Sequence, residues 1–226
     1  MVSIAYETRP SDSPYVESVT RGRTVSAASS IRPAESHWHM VFVKQHGDAR
    51  PLLVGPWSEA GAASWTEDAE ILWIRFGLGA FMPRLPVGRF LDTETVLPGA
   101  VGPSFWLGGS AWRFPDYDNA EAFVDGLVRS GALVRDPVVG AALQGQPQEL
   151  SARTLRHRFL RATGLTQGRI RQVERAQRAA ALLRGGVSIP DAIHEAGYFD
   201  QSHMTRSLKR WVGRTPSRIA TRGTAG

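Results

Sequence analysis

The stretch Ser188-Ile-Pro190-Asp-Ala-Ile-His-Glu-Ala-Gly197-Tyr-Phe-Asp200-Gln-Ser202-His203-Met204-Thr-Arg206-Ser-Leu208-Lys209-Arg210-Trp211-Val-Gly213-Arg-Thr215-Pro216 reads as a helix, a tight turn and a second helix. Ser188 is a natural N-cap, and Pro190 suits the first turn, where a missing N–H costs nothing. Gly197 supplies the left-handed conformation that ends the first helix. Asp200 caps the second, Gln201 to Val212. Met204, Leu208 and Trp211 are spaced by four and three and form one apolar stripe, leaving Ser202, His203, Arg206, Lys209 and Arg210 on the other faces. Short polar groups in the first turn, followed by Arg one turn later, suit a DNA major groove. Arg pairs bidentately with guanine O6 and N7, and Ser or His meets other base edges. Gly213 and Thr215-Pro216 close the helix and start another at Ser217, whose free N–H groups suit a phosphate.

Upstream, Ser151-Ala-Arg153-Thr-Leu155-Arg156-His157-Arg158-Phe159-Leu-Arg-Ala-Thr163-Gly164 follows the same logic. Asp136 to Leu143 reads as a scaffold helix, and Ser151 as the N-cap of a helix that ends at Gly164 and buries Leu155 and Phe159. Arg153, Arg156 and His157 point away from that stripe. The intervening Gln144 to Leu150 is longer and looser than a tight turn. Between the two segments Ile170, Val173, Ala176, Ala180 and Leu183 recur at three and four. They predict an amphipathic connector of about 16 residues, or ~24 Å. Such a connector suits two reading helices set roughly one DNA turn apart.

Charge follows the same division. From Ser151 onward 15 Lys/Arg face 4 Asp/Glu, a balance of +11, whereas the first 150 residues hold 12 against 17, or −5; together these give the +6 of the 226-residue chain. A strongly basic module attracts a polyanion, because each phosphate it neutralises releases condensed counterions. The absence of cysteine excludes a disulfide framework, a thiolate nucleophile, Cys-ligated zinc and Fe–S clusters. The segment Met1 to Glu7 lacks the basic and apolar regions of a signal peptide, and no apolar run reaches the ~18 residues of a membrane span. A soluble, cytoplasmic protein without membrane attachment is the expectation.

Residues 1 to 36 are rich in Ser, Arg, Pro and Thr and read as loop with one short strand near Val25. Trp38 to Val43, Pro51 to Val54 and Glu70 to Phe76 are short runs of β-branched and aromatic residues between Gly and Pro punctuation, the pattern of strands. Ala122, Phe123, Gly126, Leu127 and Ser130 then fall at helical spacing behind Asp118 or Asn119 as N-cap. The predicted fold class is α+β, with a β-rich domain over 1–115 and an all-helical domain over 119–222, divided at Pro115 to Asp118. Six of the seven tryptophans (Trp38, Trp57, Trp65, Trp73, Trp106 and Trp112) lie in the first half. They are expected to supply much of its core, the lining of a ligand pocket being the alternative.

The C-terminal region resembles the DNA-binding domain of the AraC/XylS family of bacterial transcription regulators. The family's second motif is matched by Gly197-Tyr198, Asp200, Ser202, Arg206, Lys209-Arg210, Gly213 and Thr215-Pro216. Its first motif is matched by Ser151, Leu155, His157-Arg158-Phe159 and Thr163-Gly164. One departure is Ala192-Ile193, where the family has Ile-Ala, which puts a bulky residue where the two helices pack closely unless Ala192 compensates. The resemblance implies a unit that inserts helices 151–163 and 201–212 into successive major-groove segments of double-stranded DNA. Carried over position by position, it implies Arg153, Arg156, His157, Ser202, His203 and Arg206 as base readers, and Gln167, Lys209, Arg210, Thr215 and Ser217 as phosphate contacts. Arg9-Pro10, Pro14-Tyr-Val16, Val54-Gly-Pro56 and Ile74-Arg-Phe76 loosely resemble a compact sensor-like domain of short regulators of this kind. That likeness implies a domain that binds a small-molecule effector or forms a homodimer, without naming the effector.

The competing reading is a metal-dependent cupin-type enzyme with a basic helical tail. His37 and His39 alternate on one predicted strand, with His46, Glu35 and Asp48 nearby. The following Glu and the late His of such sites are missing, so exposed or locally hydrogen-bonded histidines are expected, with no cofactor. A nucleophile elbow, a phosphate-cradling Gly loop and HExxH are all absent, and no enzymatic activity is predicted. A nonspecific architectural DNA binder is the third reading, distinguished by salt-sensitive binding without sequence preference.

Overall fold

A computed structural model describes residues 4–99 and 103–223. Strands fill the first half and helices follow, an α+β chain. The strands are β1 (Ile4–Pro10), β2 (Val16–Thr24), β3 (Ala28–Arg32), β4 (His39–Gln45), β5 (Asp48–Val54), β6 (Gly61–Trp65), β7 (Glu70–Phe76), β8 (Ala80–Phe81), β9 (Glu94–Val96), β10 (Ser104–Leu107), β11 (Ser110–Arg113) and β12 (Val134–Arg135). The helices are α1 (Ala120–Arg129), α2 (Pro137–Leu143), α3 (Ala152–Thr163), α4 (Gln167–Arg184), α5 (Ile189–Glu195), α6 (Gln201–Trp211) and α7 (Pro216–Gly223). Packing divides the chain into two units, one of Met1–Ala28, His37–Pro56 and Ser64–Thr166, the other of Ser29–Ser36, Trp57–Ala63 and Gln167–Gly226.

The first unit is built on an antiparallel sheet of order β1-β2-β7-β4-β5-β9. Its register is pinned by one row across four strands. Val19 pairs with Ile74, Ile74 with Met40 and Met40 with Leu53, and all four are fully buried. A slip of one residue would turn that row to the opposite face. His46 and Gly47, both at positive φ, form the two-residue turn between β4 and β5.

Two expectations for this half are corrected. Residues 4–36 are mostly strand, not loop, and the first three residues of that expectation lie outside the described residues. β1 is an edge strand with both faces largely solvated, so its polar sequence shows no apolar alternation, and Val25 lies exposed between β2 and β3. The tryptophans are mostly half-buried or exposed. Only Trp38 of the six is fully enclosed, stacked on Phe76 at 3.9 Å with its Nε1 donating to Ala80 O at 2.7 Å. Phenylalanine adds a second aromatic cluster, with Phe42 meeting Phe105, Phe114 and Phe123 edge-on at 5.5 to 5.9 Å.

Helix α1 begins after Asn119 and buries Ala120, Val124 and Leu127. Arg9 of β1 clamps it to the sheet through Glu121, at 2.5 and 2.7 Å. Helices α2 and α3 belong to this unit by packing, α3 lying on β8 and on the 3-10 turn Val87–Arg89. The chain leaves the first unit for the last time between Thr166 and Gln167.

In the second unit α4 to α7 enclose Val173, Ala176, Ala180, Leu183, Ala192, Met204, Leu208, Trp211 and Ile219. Ala192 is fully buried and Ile193 only partly, so the small residue takes the tight position between helices and the reversed Ala-Ile order leaves the packing close. The remaining part of this unit is the paired ribbon of β3 and β6, whose far end supplies Ala34 to the same core.

Candidate nucleic-acid interface

Each helix of the two candidate readers starts where its cap dictates. Ser151 accepts from Thr154 N–H at 3.1 Å, and Asp200 accepts from His203 N–H at 2.6 Å. Ser188 likewise caps α5 through Asp191 N–H, and Asp136 caps α2 through Val138 N–H. Gly164 and Gly197 take positive φ, 70° and 71°, where the helices end.

With Met204, Leu208 and Trp211 buried beneath it, α6 exposes Ser202, Arg206 and Lys209 along one ridge, with Gln201 exposed to one side of it. Ser202, Arg206 and Lys209 follow at spacings of four and three, so a hydroxyl, a guanidinium and an ammonium stand in line on adjacent turns. His203 is exposed beside them, its ring edge-on to Tyr198 at 5.1 Å, which fixes its direction. Tyr198 is itself anchored by Ser207, Oη to Oγ at 2.8 Å, and burial pushes its phenol pKa up, keeping the hydroxyl neutral. Arg210 behaves differently. Its Nε and Nη2 donate to Glu59 Oε1 at 3.0 and 2.7 Å. Thr215 is half-buried before α7, Pro216 is buried, and Ser217 is exposed in the first turn of that helix.

On α3 the exposed ridge is Arg153, Arg156, His157 and Leu160, with Phe159, Ala162 and Thr163 beneath it. Leu155 is only half-buried. Arg158 turns inward and donates to both carboxylate oxygens of Asp136. The loop between α2 and α3, residues 144–151, is longer than the turn between α5 and α6, in keeping with the length of the stretch Gln144 to Leu150. Gln167 opens α4, half-buried and already engaged.

One exposed group escaped the sequence reading. Phe199, immediately before the α6 cap, is 92% exposed, the most solvated large apolar side chain among the described residues. Its position between a core tyrosine and a capping aspartate was the available signal, since such a slot leaves its side chain no route to the interior.

The histidines of the enzyme reading are held otherwise. Arg75 Nη2 donates to His37 Nδ1 at 2.7 Å, which fixes that nitrogen as an acceptor. His46 sits in the β4–β5 turn. Among the described residues no three His, Asp or Glu side chains gather as metal ligands, and no helix is long and apolar enough to cross a membrane. The metal-enzyme alternative has no support.

These features define a class of domain: residues 148–222 match the family model described as a helix-turn-helix domain, the region that carries the resemblance to AraC/XylS-type regulators. Among individual proteins it is similar to the HTH-type transcriptional regulator RipA of Corynebacterium glutamicum, 35% identical over 91 residues, which make up 39% of this chain and 28% of that protein. The match thus spans less than a third of the relative's length. No solved structure matches the chain.

Proposed function

We propose that the protein is a sequence-specific transcription regulator of double-stranded DNA, with helices 151–163 and 201–212 each reading a major-groove segment. The observation that carries this reading is the α6 ridge. A cap-fixed first turn presents Ser202 and His203, Arg206 follows one turn later, and a buried apolar stripe holds the helix rigid beneath them. Arg153, Arg156 and His157 form the corresponding ridge on α3. Lys209, Thr215, Ser217 and Gln167 are assigned to phosphates, which position the helices without reading bases. Phe199 adds an apolar face beside the α6 start, suited to a thymine methyl or a deoxyribose.

In this reading residues 119–222 form the DNA-binding module, and residues 1–115 modulate it by sensing a small molecule or by dimerising. The protein works in the cytoplasm and catalyses no reaction. Selection of binding sequences from a random duplex library, with the full chain at near-physiological salt, tests the core of this. Two recurring base clusters about one helical turn apart are expected. A steep salt dependence without sequence preference would instead favour the architectural reading.

A further inference from the structure

The last carbonyls of a helix lack partners within it and carry partial negative charge. At the end of α6 two of them are satisfied from far away in sequence. Ala60 N–H donates to Arg210 O at 2.9 Å, and Ala34 N–H donates to Trp211 O at 2.7 Å. Ala34 is fully buried in the helical core, and its carbonyl accepts from Gln177 Nε2 of α4 at 2.8 Å. Glu35 and Trp57 exchange backbone hydrogen bonds at 2.9 and 2.8 Å, tying the two limbs of the ribbon together, and the Arg32 guanidinium lies 3.4 Å over the Trp57 ring. Residues 29–36 and 57–63 are therefore a strap seated on the 210–213 corner. The fit there is close enough that a Cβ on Gly213 would fall 2.3 Å from Ile31 Cγ2.

Glu59 projects from this strap onto Arg210, and both side chains are about half exposed. An exposed ion pair contributes little to stability and exchanges partners readily. A DNA phosphate is an equally good bidentate acceptor for a guanidinium. Building on the DNA-reading function above, we propose that Glu59 is a positioning residue which competes with DNA phosphate for Arg210 and so limits the number of phosphates the second reader engages. The strap holds that carboxylate in place, which makes the grip of α6 on the backbone adjustable by residues outside the helix-turn-helix.

The test uses the full chain on its selected duplex, with affinity measured over a range of salt for wild type, E59Q, R210A and E59Q/R210A. E59Q is expected to bind about two- to fivefold more tightly, the range an exposed pair spans. Its log–log salt slope should steepen by about 0.9, the contribution of one further phosphate. In the R210A background the same substitution should change neither quantity. A gain that survives in R210A would overturn the proposal, since Glu59 would then act by plain repulsion of DNA, and so would the absence of any gain. Failure of the functional reading is separately visible: wild type itself would show no sequence preference, and the proposal would fall with it.

Discussion

Asp136 caps α2 and at the same time holds Arg158 of α3, with Nη1 at 3.0 and 3.2 Å from its two carboxylate oxygens. One nearly buried carboxylate thus joins α2 and α3 across a long, loose loop. Asp136→Ala removes the cap and strands the guanidinium, and should cost about 2 kcal/mol. Asp136→Asn keeps the cap and should lose roughly half of that. Urea unfolding of the three proteins checks this, and near-equal midpoints would show that the pair does not join the helices energetically.

Glu121 gives a pH signature. The bidentate Arg9 guanidinium holds its carboxyl at about 2 against an ordinary 4.5, with burial opposing. The folded form titrates below the unfolded one, so the stabilisation is complete above pH 4.5 and is lost as pH falls towards 2. Glu121→Gln should cost about 1–2 kcal/mol near neutrality, less than the full linkage because the pair is partly exposed. The gap between variant and wild type should close over that acid window, and a gap independent of pH would point to packing instead.

On α6, Arg206→Ala should relax preference at one base position and cost about 1–3 kcal/mol on the selected site. Lys209→Ala should weaken selected and random duplexes alike and flatten the salt slope by about one phosphate. Equal losses on both kinds of DNA for both variants would refute this division of roles.

Phe199→Ala separates surface from interface. The side chain supports nothing in the interior, so stability should stay within about 0.5 kcal/mol. Binding to the selected duplex should weaken by about 1 kcal/mol if the ring meets a thymine methyl or a sugar. Unchanged binding in footprint-matched titrations would place Phe199 off the DNA.

Gly213→Ala faces three obstacles, a φ of +75°, the Ile31 side chain at 2.3 Å and Ala60 Cβ at 3.2 Å. A loss of about 2 kcal/mol or more is expected in thermal or urea unfolding. Ile31→Ala in the same chain should recover part of it, because that substitution removes the closest clash but neither the Ala60 contact nor the backbone strain. No recovery would mean that Ile31 is not what requires the glycine.

The second helix-turn-helix was legible because its instructions are local. Ser188, Gly197, Asp200 and the Met204-Leu208-Trp211 stripe each act within a turn or two, and each sits where the sequence puts it. Helix α3 was legible for the same reason, although its packing against β8 and the Val87–Arg89 turn was not. Edge strand β1 stayed hidden because solvated faces need no apolar alternation. Gly55 shows how a motif residue can be noticed without its reason: a Cβ there would lie 1.7 Å from Phe90 O, a contact between segments that no local pattern encodes. The strap is the extreme case. Its bonds to the end of α6 come partly from backbone N–H groups of two alanines, and main-chain donors look the same whatever the residue.

The same strap sets an order of events during synthesis. Ala34 and Gln177 are 143 residues apart and Glu59 and Arg210 are 151 apart, so the second unit closes some of the longest loops in the chain. Contacts of such separation form late, after the entropy of closing the intervening chain has been met. A growing polypeptide that emerges N-terminus first exposes the ribbon long before α4 to α7 exist to receive it. The second unit stays unfinished until its helices leave the ribosome and fold back onto a segment made more than a hundred residues earlier.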